Sequence, residues 1–164
     1  MYLVGIDPAI RRIAAAVMHA TTGQLVGTRF ELLPRTEDTR EWHAQVRDFL
    51  VGLDRMTDGS VVACFVEPCA FVGPNAKTAI RHAAAAGATT ALSWRVWPHA
   101  LIETEAAEPR RWRQACGIER SGKDAVRAWA EAQWPQLAGR EQDEIDAACI
   151  AWAGYLATTE GTGD

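Results

Sequence analysis

The sequence has little of what several protein classes depend on. Its cysteines (Cys64, Cys69, Cys116 and Cys149) are too sparse for a disulfide scaffold and lack the spacing of a zinc site. No apolar run is long enough to span a bilayer, no basic and apolar leader precedes the first apolar stretch, and no glycine-rich phosphate loop stands out. We therefore expect a soluble, cytoplasmic protein with reduced thiols and no membrane partner.

Positive charge is scarce, and it is unevenly spread along the chain. The formal net charge is −4 at pH 7. The stretch 71–130 nevertheless holds nine Lys or Arg against five Asp or Glu, and it contains both lysines of the chain, Lys77 and Lys123. Such a stretch is typical either of a nucleic-acid footprint or of solvated helix faces, and composition leaves both open.

The chain is long enough for one domain and too short for two full cores. It has 164 residues, of which 48% are hydrophobic and 23% charged, as in ordinary globular proteins. We expect one domain over 1–158 and a disordered tail over 159–164.

Two apolar stretches end in the same way, with a carboxylate followed by proline. The first covers 2–7 and ends in Asp7-Pro8, and the second covers 61–66 and ends in Glu67-Pro68. Both are apolar enough to be central strands buried on two faces. If they are neighbouring parallel strands, both carboxylates reach the sheet edge where α/β proteins bind ligands. The alternative for Asp7 is an ordinary turn residue.

The remaining patterns predict three more strands and five helices. Apolar stretches over 13–18 and 25–33 continue the first strand as an antiparallel meander, and a fifth strand is expected near 95–103, at an edge because of Pro98. Helices are expected to begin at a capping box formed by Asp38 and Glu41, and at the N-cap Asn75 for a helix over 76–92. Three further helices are expected: one over 109–116, one that is capped by Ser121 and runs to 134, and one over 143–157.

The last predicted helix opens with two acids, Asp143 and Asp146, at a spacing of three that places them on one helix face. Simple capping of the helix N-terminus explains such a pair by itself. Together with Asp7 and Glu67, however, the pair completes a set of four carboxylates. A hard divalent cation relieves the repulsion within such a set, which predicts Mg²⁺ or Mn²⁺. Two such ions support phosphodiester hydrolysis.

These motifs, in their order along the chain, closely resemble the RuvC-type Holliday-junction resolvases, particularly the phage-borne forms. The matching segments are Gly5-Ile6-Asp7-Pro8, Glu67, Phe71, Asn75 before an Ala-rich helix, Gly122-Lys123, and Asp143-Glu144-Ile145-Asp146-Ala147-Ala148. The resemblance implies the ribonuclease H-like α/β fold, a five-stranded mixed sheet of three antiparallel and then two parallel strands, flanked by helices.

The resemblance also implies the roles of individual residues. Asp7, Glu67, Asp143 and Asp146 match the metal-binding and catalytic carboxylates, two ions per site, and Lys123 matches a basic catalytic residue beside them. Candidate DNA-binding residues are Phe71, Asn75, Lys77, Arg81, Arg110, Arg111, Arg113 and Arg127. We expect a homodimer that cuts four-way DNA junctions by paired symmetric cuts, because the substrate is two-fold symmetric.

Other functions remain open on sequence alone. An RNA–DNA hybrid nuclease, or a flap or fork nuclease, shares the same carboxylate chemistry. A non-catalytic junction-binding protein is the alternative outside the enzymes. Actin-like ATPases and sugar kinases also place an Asp after a first strand, but they need two such lobes, for which this chain is too short.

Overall fold

The computed structural model describes residues 1–35, 38–69 and 75–160. The strands are β1 (Tyr2–Pro8), β2 (Arg12–His19), β3 (Leu25–Leu32), β4 (Val61–Val66) and β5 (Leu101–Glu103). The helices are α1 (Thr39–Met56), α2 (Ala76–Val96), α3 (Pro109–Ala115), α4 (Lys123–Gln133) and α5 (Gln142–Glu160), with a short 3₁₀ turn at Pro135–Leu137.

The strands form one mixed sheet in the order β3-β2-β1-β4-β5. The first three strands pair antiparallel, and β4 and β5 add to them as parallel strands. This arrangement confirms the predicted five-stranded fold class. The parallel register places Gly5 opposite Phe65 and Ile6 opposite Val66. Asp7 and Glu67 therefore lie at the ends of neighbouring strands, at the same edge of the sheet.

Helices cover both faces of the sheet. One hydrophobic core lies between the sheet and α1 and α2, and the other lies between the sheet and α3, α4 and α5. The helix α5 lies so close to β1 that a Cβ atom at Gly5 would collide with the backbone of Ala147 and Ala151. Only glycine allows this approach, and the approach brings the N-terminal end of α5 to the end of β1.

Two element boundaries differ from the sequence prediction around residue 95. The helix α2 continues to Val96, because the buried hydroxyls of Thr89 and Ser93 donate to backbone carbonyls one turn earlier and remain inside the helix. Trp97 then ends the helix, and its indole N–H donates to Asp54 at 2.9 Å. The fifth strand is therefore only three residues long, Leu101–Glu103, and the prediction that it starts near 95 is wrong.

The starts of the last two helices also differ in detail. Gly122, and not Ser121, is the N-cap of α4, and the described structure shows no side-chain cap bond there. The predicted cap was wrong by one residue, because the first N–H groups bonded within the helix, those of Ala125 and Val126, donate to the Gly122 carbonyl, while the Ser121 carbonyl accepts from Arg113 Nη1 at 2.9 Å. The helix α5 includes residues 159 and 160 of the predicted tail, while 161–164 lie outside the described residues. None of the described helices has both the length and the apolar character of a membrane span.

Candidate active site

Asp7 and Glu67 point to the α5 side of the sheet because side chains alternate along a strand. Leu3 in β1 and Phe65 in β4 belong to the core under α5, so positions two or four residues further along the same strands face the same side. The backbone N–H of Glu67 donates to the Ile6 carbonyl at 2.9 Å, which keeps the two strand ends paired up to the carboxylates.

The helix α5 supplies the other two carboxylates from the stripe that packs on the sheet. Asp143, Asp146 and Ala147 lie within one turn of each other, and Ala147 is the residue against Gly5. Helix capping is performed by a different acid, Glu144, which is only 4% exposed. It accepts from the backbone N–H of Glu141 at 3.2 Å, as the third helical residue does in a capping box. Capping therefore does not account for Asp143 and Asp146.

All four carboxylates line one open pocket of about 380 Å³. Lys123, at the first position of α4, lines the same pocket, as do Arg12 from the start of β2 and His82 from α2. The predicted catalytic residues thus meet at one place, although they come from four separate segments of the chain.

Burial and mutual repulsion make the strand-end carboxylates hard to ionise. Burial, followed by the charges of Asp143 and Asp146, raises the pKa of Asp7 from 3.8 to about 7. Burial, followed by the charges of Asp7 and Asp146, raises the pKa of Glu67 from 4.5 to about 8. At neutral pH the cations of the pocket are therefore insufficient to keep all four carboxylates fully ionised.

The two helix carboxylates are each held by one polar partner. Arg12 Nε lies 2.6 Å from Asp143 Oδ2, and Gln142 Nε2 donates to Asp146 Oδ1 at 2.9 Å. Burial still raises the pKa of both carboxyl groups, while Arg12 lowers that of Asp143 and the hydrogen bond from Gln142 lowers that of Asp146. The sequence analysis identified neither partner.

Trp112 is another site residue that the sequence analysis missed. Its buried indole donates from Nε1 to Glu67 Oε2 at 3.2 Å, and this bond lowers the pKa of Glu67 against the larger effect of burial. The guanidinium of Arg113 stacks on the same indole, 4.8 Å from the ring centroid. The helix α3 therefore orients Glu67 and carries a cation beside it. The only local signal was a tryptophan between two arginines.

The donor chemistry of the pocket fits a hard divalent cation, although the side chains are not gathered around one. The four carboxylates offer oxygen donors alone, which Mg²⁺ and Mn²⁺ prefer, and burial, together with repulsion from nearby carboxylates, raises the pKa of each. Within the described residues, no three Asp, Glu, His or Cys side chains are close enough together to hold one ion. Asp143 is paired with Arg12 instead.

The predicted DNA-binding residues are distributed over three places. Lys77 and Arg81 are exposed on the first turns of α2, behind the N-cap Asn75, whose side chain accepts from the Thr78 N–H at 3.3 Å. Phe71 lies outside the described residues. Lys77 and Arg81 line a second pocket, between α1 and α2, while His82 is the residue of α2 that lines the carboxylate pocket.

The arginines of α3 and α4 are partly engaged within the chain. Arg110 and Arg111 are exposed, and Arg111 is paired with Glu105 at 2.5 Å. Arg127 donates to the Arg140 carbonyl at 3.0 Å and pairs with Glu131, so it holds the loop before α5 as well as carrying charge. Of this group, Arg113 lies beside the carboxylates, where its charge lowers the pKa of Glu67.

Comparison with known proteins gives matches in structure and none in sequence. No protein-family model matches the chain, and no curated protein is similar to it in sequence. The fold is similar to that of RuvC from Thermus thermophilus bound to a Holliday junction substrate, with a TM-score of 0.76 and 18% identity over 97% of this chain and 96% of that one. A second structure of Thermus thermophilus RuvC gives a TM-score of 0.74 and 18% identity over 98% and 97% of the two chains.

Sequence identity this low shows the fold alone, and the fold is shared over nearly the whole of both chains. In this chain, that fold consists of the mixed sheet with helices on both faces. The chain therefore has the ribonuclease H-like fold in the form seen in RuvC.

Proposed function

We propose that this protein is a divalent-metal-dependent endonuclease that cuts branched DNA, most specifically four-way junctions. The observation that carries the proposal is the convergence of Asp7, Glu67, Asp143 and Asp146 on one pocket with Lys123 beside them. Folding by itself gives no reason to bury several carboxylates together, because each ionised group in the protein interior lowers the stability of the folded chain. The arrangement is understandable if the pocket binds cations and a phosphodiester.

The residues of the pocket would divide the chemistry between them. The four carboxylates would hold Mg²⁺ or Mn²⁺, two ions per site, which when bound supply an activated water and stabilise the leaving oxygen. Trp112 holds Glu67 through its indole N–H, and Gln142 holds Asp146, so two of the ligands are oriented in advance. Arg12 occupies Asp143 and would have to release it for metal binding.

Lys123 would act on the phosphate itself. Its charge lowers the pKa of Asp7 and Asp143, which places the ammonium group in the electrostatic environment of the pocket. The residue is exposed at the start of α4 and can therefore reach a phosphate that enters from solvent. A cation there stabilises the negative charge that develops when the phosphodiester is cleaved. Exposed cations such as Arg110 would instead bind phosphates at a distance from the cut, with salt-dependent affinity.

Branched DNA is the proposed substrate because of the fold and the local charge. The RuvC structure with the shared fold is bound to a Holliday junction substrate. In this chain, the basic stretch that the sequence analysis left open contributes Lys123 to the carboxylate pocket, Arg113 beside Glu67, and Lys77 and Arg81 to the second pocket between α1 and α2. Cations in these positions can neutralise several phosphates around one scissile bond.

We also propose that the protein acts as a homodimer joined through α2. Ile80, Gly87, Ala91 and Trp94 lie along one face of this helix at intervals of seven, four and three residues. Ile80 is 68% exposed and Trp94 57%, so the face is apolar and unburied in the single chain. Among the described atoms, a Cβ at Gly87 would meet nothing within 4 Å. A second copy of the same helix could pack closely at this glycine and give two cutting sites related by a two-fold axis.

The dimer can be tested without DNA by changing Gly87. Gly87→Arg adds a side chain to open space in the single chain and replaces a poor helix former, so the fold should be retained. Sedimentation should show a wild-type dimer at micromolar concentration and a Gly87→Arg monomer with unchanged helical circular dichroism. Ala132→Arg, on the exposed face of α4, is the matched control and should remain dimeric. A wild-type monomer that still makes paired cuts would contradict the proposal.

The proposed nuclease activity can be tested with a set of DNA substrates that share one sequence and differ in structure. Purified protein with Mg²⁺ is incubated with a four-way junction, a flap, a duplex and an RNA–DNA hybrid, and the products are mapped at nucleotide resolution. We expect symmetric cuts in opposed strands of the four-way junction. Asp146→Asn should abolish cutting, whereas Asp124→Asn, an exposed acid next to Lys123 in α4, should cut as the wild type does.

Each alternative predicts a different result in the same experiment. If the protein cuts the hybrid or the flap in preference to the junction, that nucleic acid becomes the proposed substrate, and the assignment of the catalytic residues is unchanged. Junction binding without cutting, under Mg²⁺ or Mn²⁺, would indicate a non-catalytic binding protein. Equal cutting by wild type and Asp146→Asn would show that the site assignment is wrong.

A further inference from the structure

A second groove of about 380 Å³ lies between α1 and α2, next to the carboxylate pocket. Its walls include Arg11 from the turn between β1 and β2, Trp42 from α1, and Lys77 and Arg81 from α2. Small residues of α2, including Ala84 and Ala88, also line the groove. The volume is that of a small-molecule or single-residue binding site.

The cations of this groove are available for a ligand. Arg11, Lys77 and Arg81 are exposed and form no ion pair with any described residue. Among the described lining residues the one acid is Asp38, which is the N-cap of α1 and accepts from the Arg40 N–H at 2.8 Å. Three cations against one acid give the groove a net positive charge, which favours a ligand with phosphate groups.

Trp42 gives the groove a rigid aromatic surface among these cations. Its indole N–H donates to the Ile10 carbonyl at 3.2 Å, which fixes the ring against the turn between β1 and β2. The ring is only half-buried, so part of it remains accessible from the groove. Aromatic rings beside a cationic track are the combination by which proteins bind unpaired nucleotides, since each base can stack while its phosphate is neutralised.

The groove and the carboxylate pocket share their dividing wall. Arg11 lines the groove and Arg12 the pocket, and in α2 Arg81 lines the groove while His82 lines the pocket. A strand whose phosphate lies among the carboxylates would therefore have to cross only this wall to enter the groove. Because consecutive residues have Cα atoms about 3.8 Å apart, the two sites adjoin along this wall, and we infer that they can take neighbouring parts of one strand.

We propose that the α1–α2 groove binds the DNA strand next to the scissile phosphate, with an unpaired base stacked on Trp42 and its phosphates held by Arg11, Lys77 and Arg81. This inference rests on the proposed nuclease function and adds to it a subsite that selects where on the strand the cut falls. An unpaired base is expected only near a branch point, so the groove also favours branched over duplex DNA.

Photocrosslinking tests the contact directly. 5-Iododeoxyuridine is placed singly at successive positions on both sides of the cut in a four-way junction, and the complex is irradiated in EDTA so that no cleavage occurs. Mass spectrometry should find the adduct on the peptide that contains Trp42, from positions on one side of the cut only. An adduct found on other peptides alone, or none at all, would overturn the proposal.

Binding measurements with matched variants provide the second arm. Arg81→Gln should raise the junction Kd in EDTA by about tenfold and reduce the salt dependence, whereas Arg95→Gln, the same change on the last turn of α2, should alter Kd by less than about twofold. Trp42→Leu should also raise Kd by about tenfold, and Trp42→Phe, which keeps an aromatic ring, should retain most of the affinity. Circular dichroism verifies that each variant is folded.

The outcomes separate this proposal from the nuclease function. Protein that binds and crosslinks through Trp42 but cuts no substrate would keep the groove assignment and lose the nuclease. Protein that cuts junctions while Arg81→Gln and Trp42→Leu bind normally would keep the nuclease and lose the groove. If Trp42→Leu changes the oligomeric state and leaves DNA binding unchanged, the groove is a contact between copies and the proposal is wrong.

Discussion

Replacing Asp146 with asparagine should make the folded protein more stable at pH 8 and should abolish the proposed cleavage of DNA. Asp146 raises the pKa of both Asp7 and Glu67 by repulsion, after the larger effect of burial. Asparagine has the same shape, and its carbonyl oxygen can still accept the hydrogen bond from Gln142. The substitution therefore removes a half-buried charge and keeps the shape of the side chain.

The size of the effect follows from the pKa values. A pKa unit corresponds to about 1.4 kcal/mol, so a pKa raised from 3.8 to about 7 makes ionised Asp7 about 4 kcal/mol less favourable in the folded chain than in the unfolded one. Most of this cost is burial. Repulsion from Asp146 is on the order of 1 kcal/mol for each neighbouring carboxylate, and removing it should stabilise the metal-free protein by about 2 kcal/mol at pH 8. The midpoint of thermal unfolding should rise by about 4 to 8 °C.

The sign of the pH dependence makes this prediction specific. Because the pKa values of Asp7 and Glu67 are higher in the folded state, the folded state binds more protons between about pH 4 and pH 8. The metal-free wild type should therefore lose stability as the pH rises through this window. The advantage of Asp146→Asn should be largest at pH 8 and should shrink towards pH 4, where the neighbouring carboxylates are protonated.

Denaturant unfolding in EDTA at pH 4, 6 and 8 measures these differences, with Asp124→Asn as the exposed control that should change stability by less than about 0.5 kcal/mol. Adding Mg²⁺ at pH 8 should stabilise the wild type more than Asp146→Asn, because the variant lacks one of the proposed metal ligands. The reasoning would be refuted by a variant that is no more stable than the wild type at pH 8, or by a gain that is the same at all three pH values.

Three further substitutions test separate parts of the site. Lys123→Ala should lower the single-turnover rate at saturating junction by about 100-fold with little change in Kd, and a raised Kd with a normal rate would make Lys123 a binding residue only. Trp112→Phe removes the hydrogen bond that lowers the pKa of Glu67, so the rise of the cleavage rate with pH should move to higher pH. The control Trp134→Phe changes another buried tryptophan, away from the carboxylates, and should leave the pH profile unchanged. Arg12→Gln removes the cation that is paired with Asp143, so the Mg²⁺ concentration for half-maximal thermal stabilisation should fall roughly fivefold. An unchanged or higher Mg²⁺ concentration would contradict the proposed competition between Arg12 and the metal.

The sequence by itself determined the elements that carry the four carboxylates. Apolar strands that each end in a carboxylate and a proline predict Asp7 and Glu67 at one sheet edge, because parallel strands end together and proline cannot continue the ladder. The spacing of Asp143 and Asp146 places them on one face of α5 for an equally local reason. Such features depend on residues close together in the chain, so the sequence shows them.

The tertiary structure alone decided which side chains surround those carboxylates. Arg12 pairs with Asp143 across more than 100 residues, and Trp112 reaches Glu67 only because α3 packs beside β4 and α5. The boundary between α2 and β5 likewise depended on buried partners of Trp97, and not on local propensity. Contacts between distant segments are set by how helices pack on the sheet, for which no local pattern exists. The groove at Trp42 is of this kind, since its walls come from a turn and two helices that meet only in the folded chain.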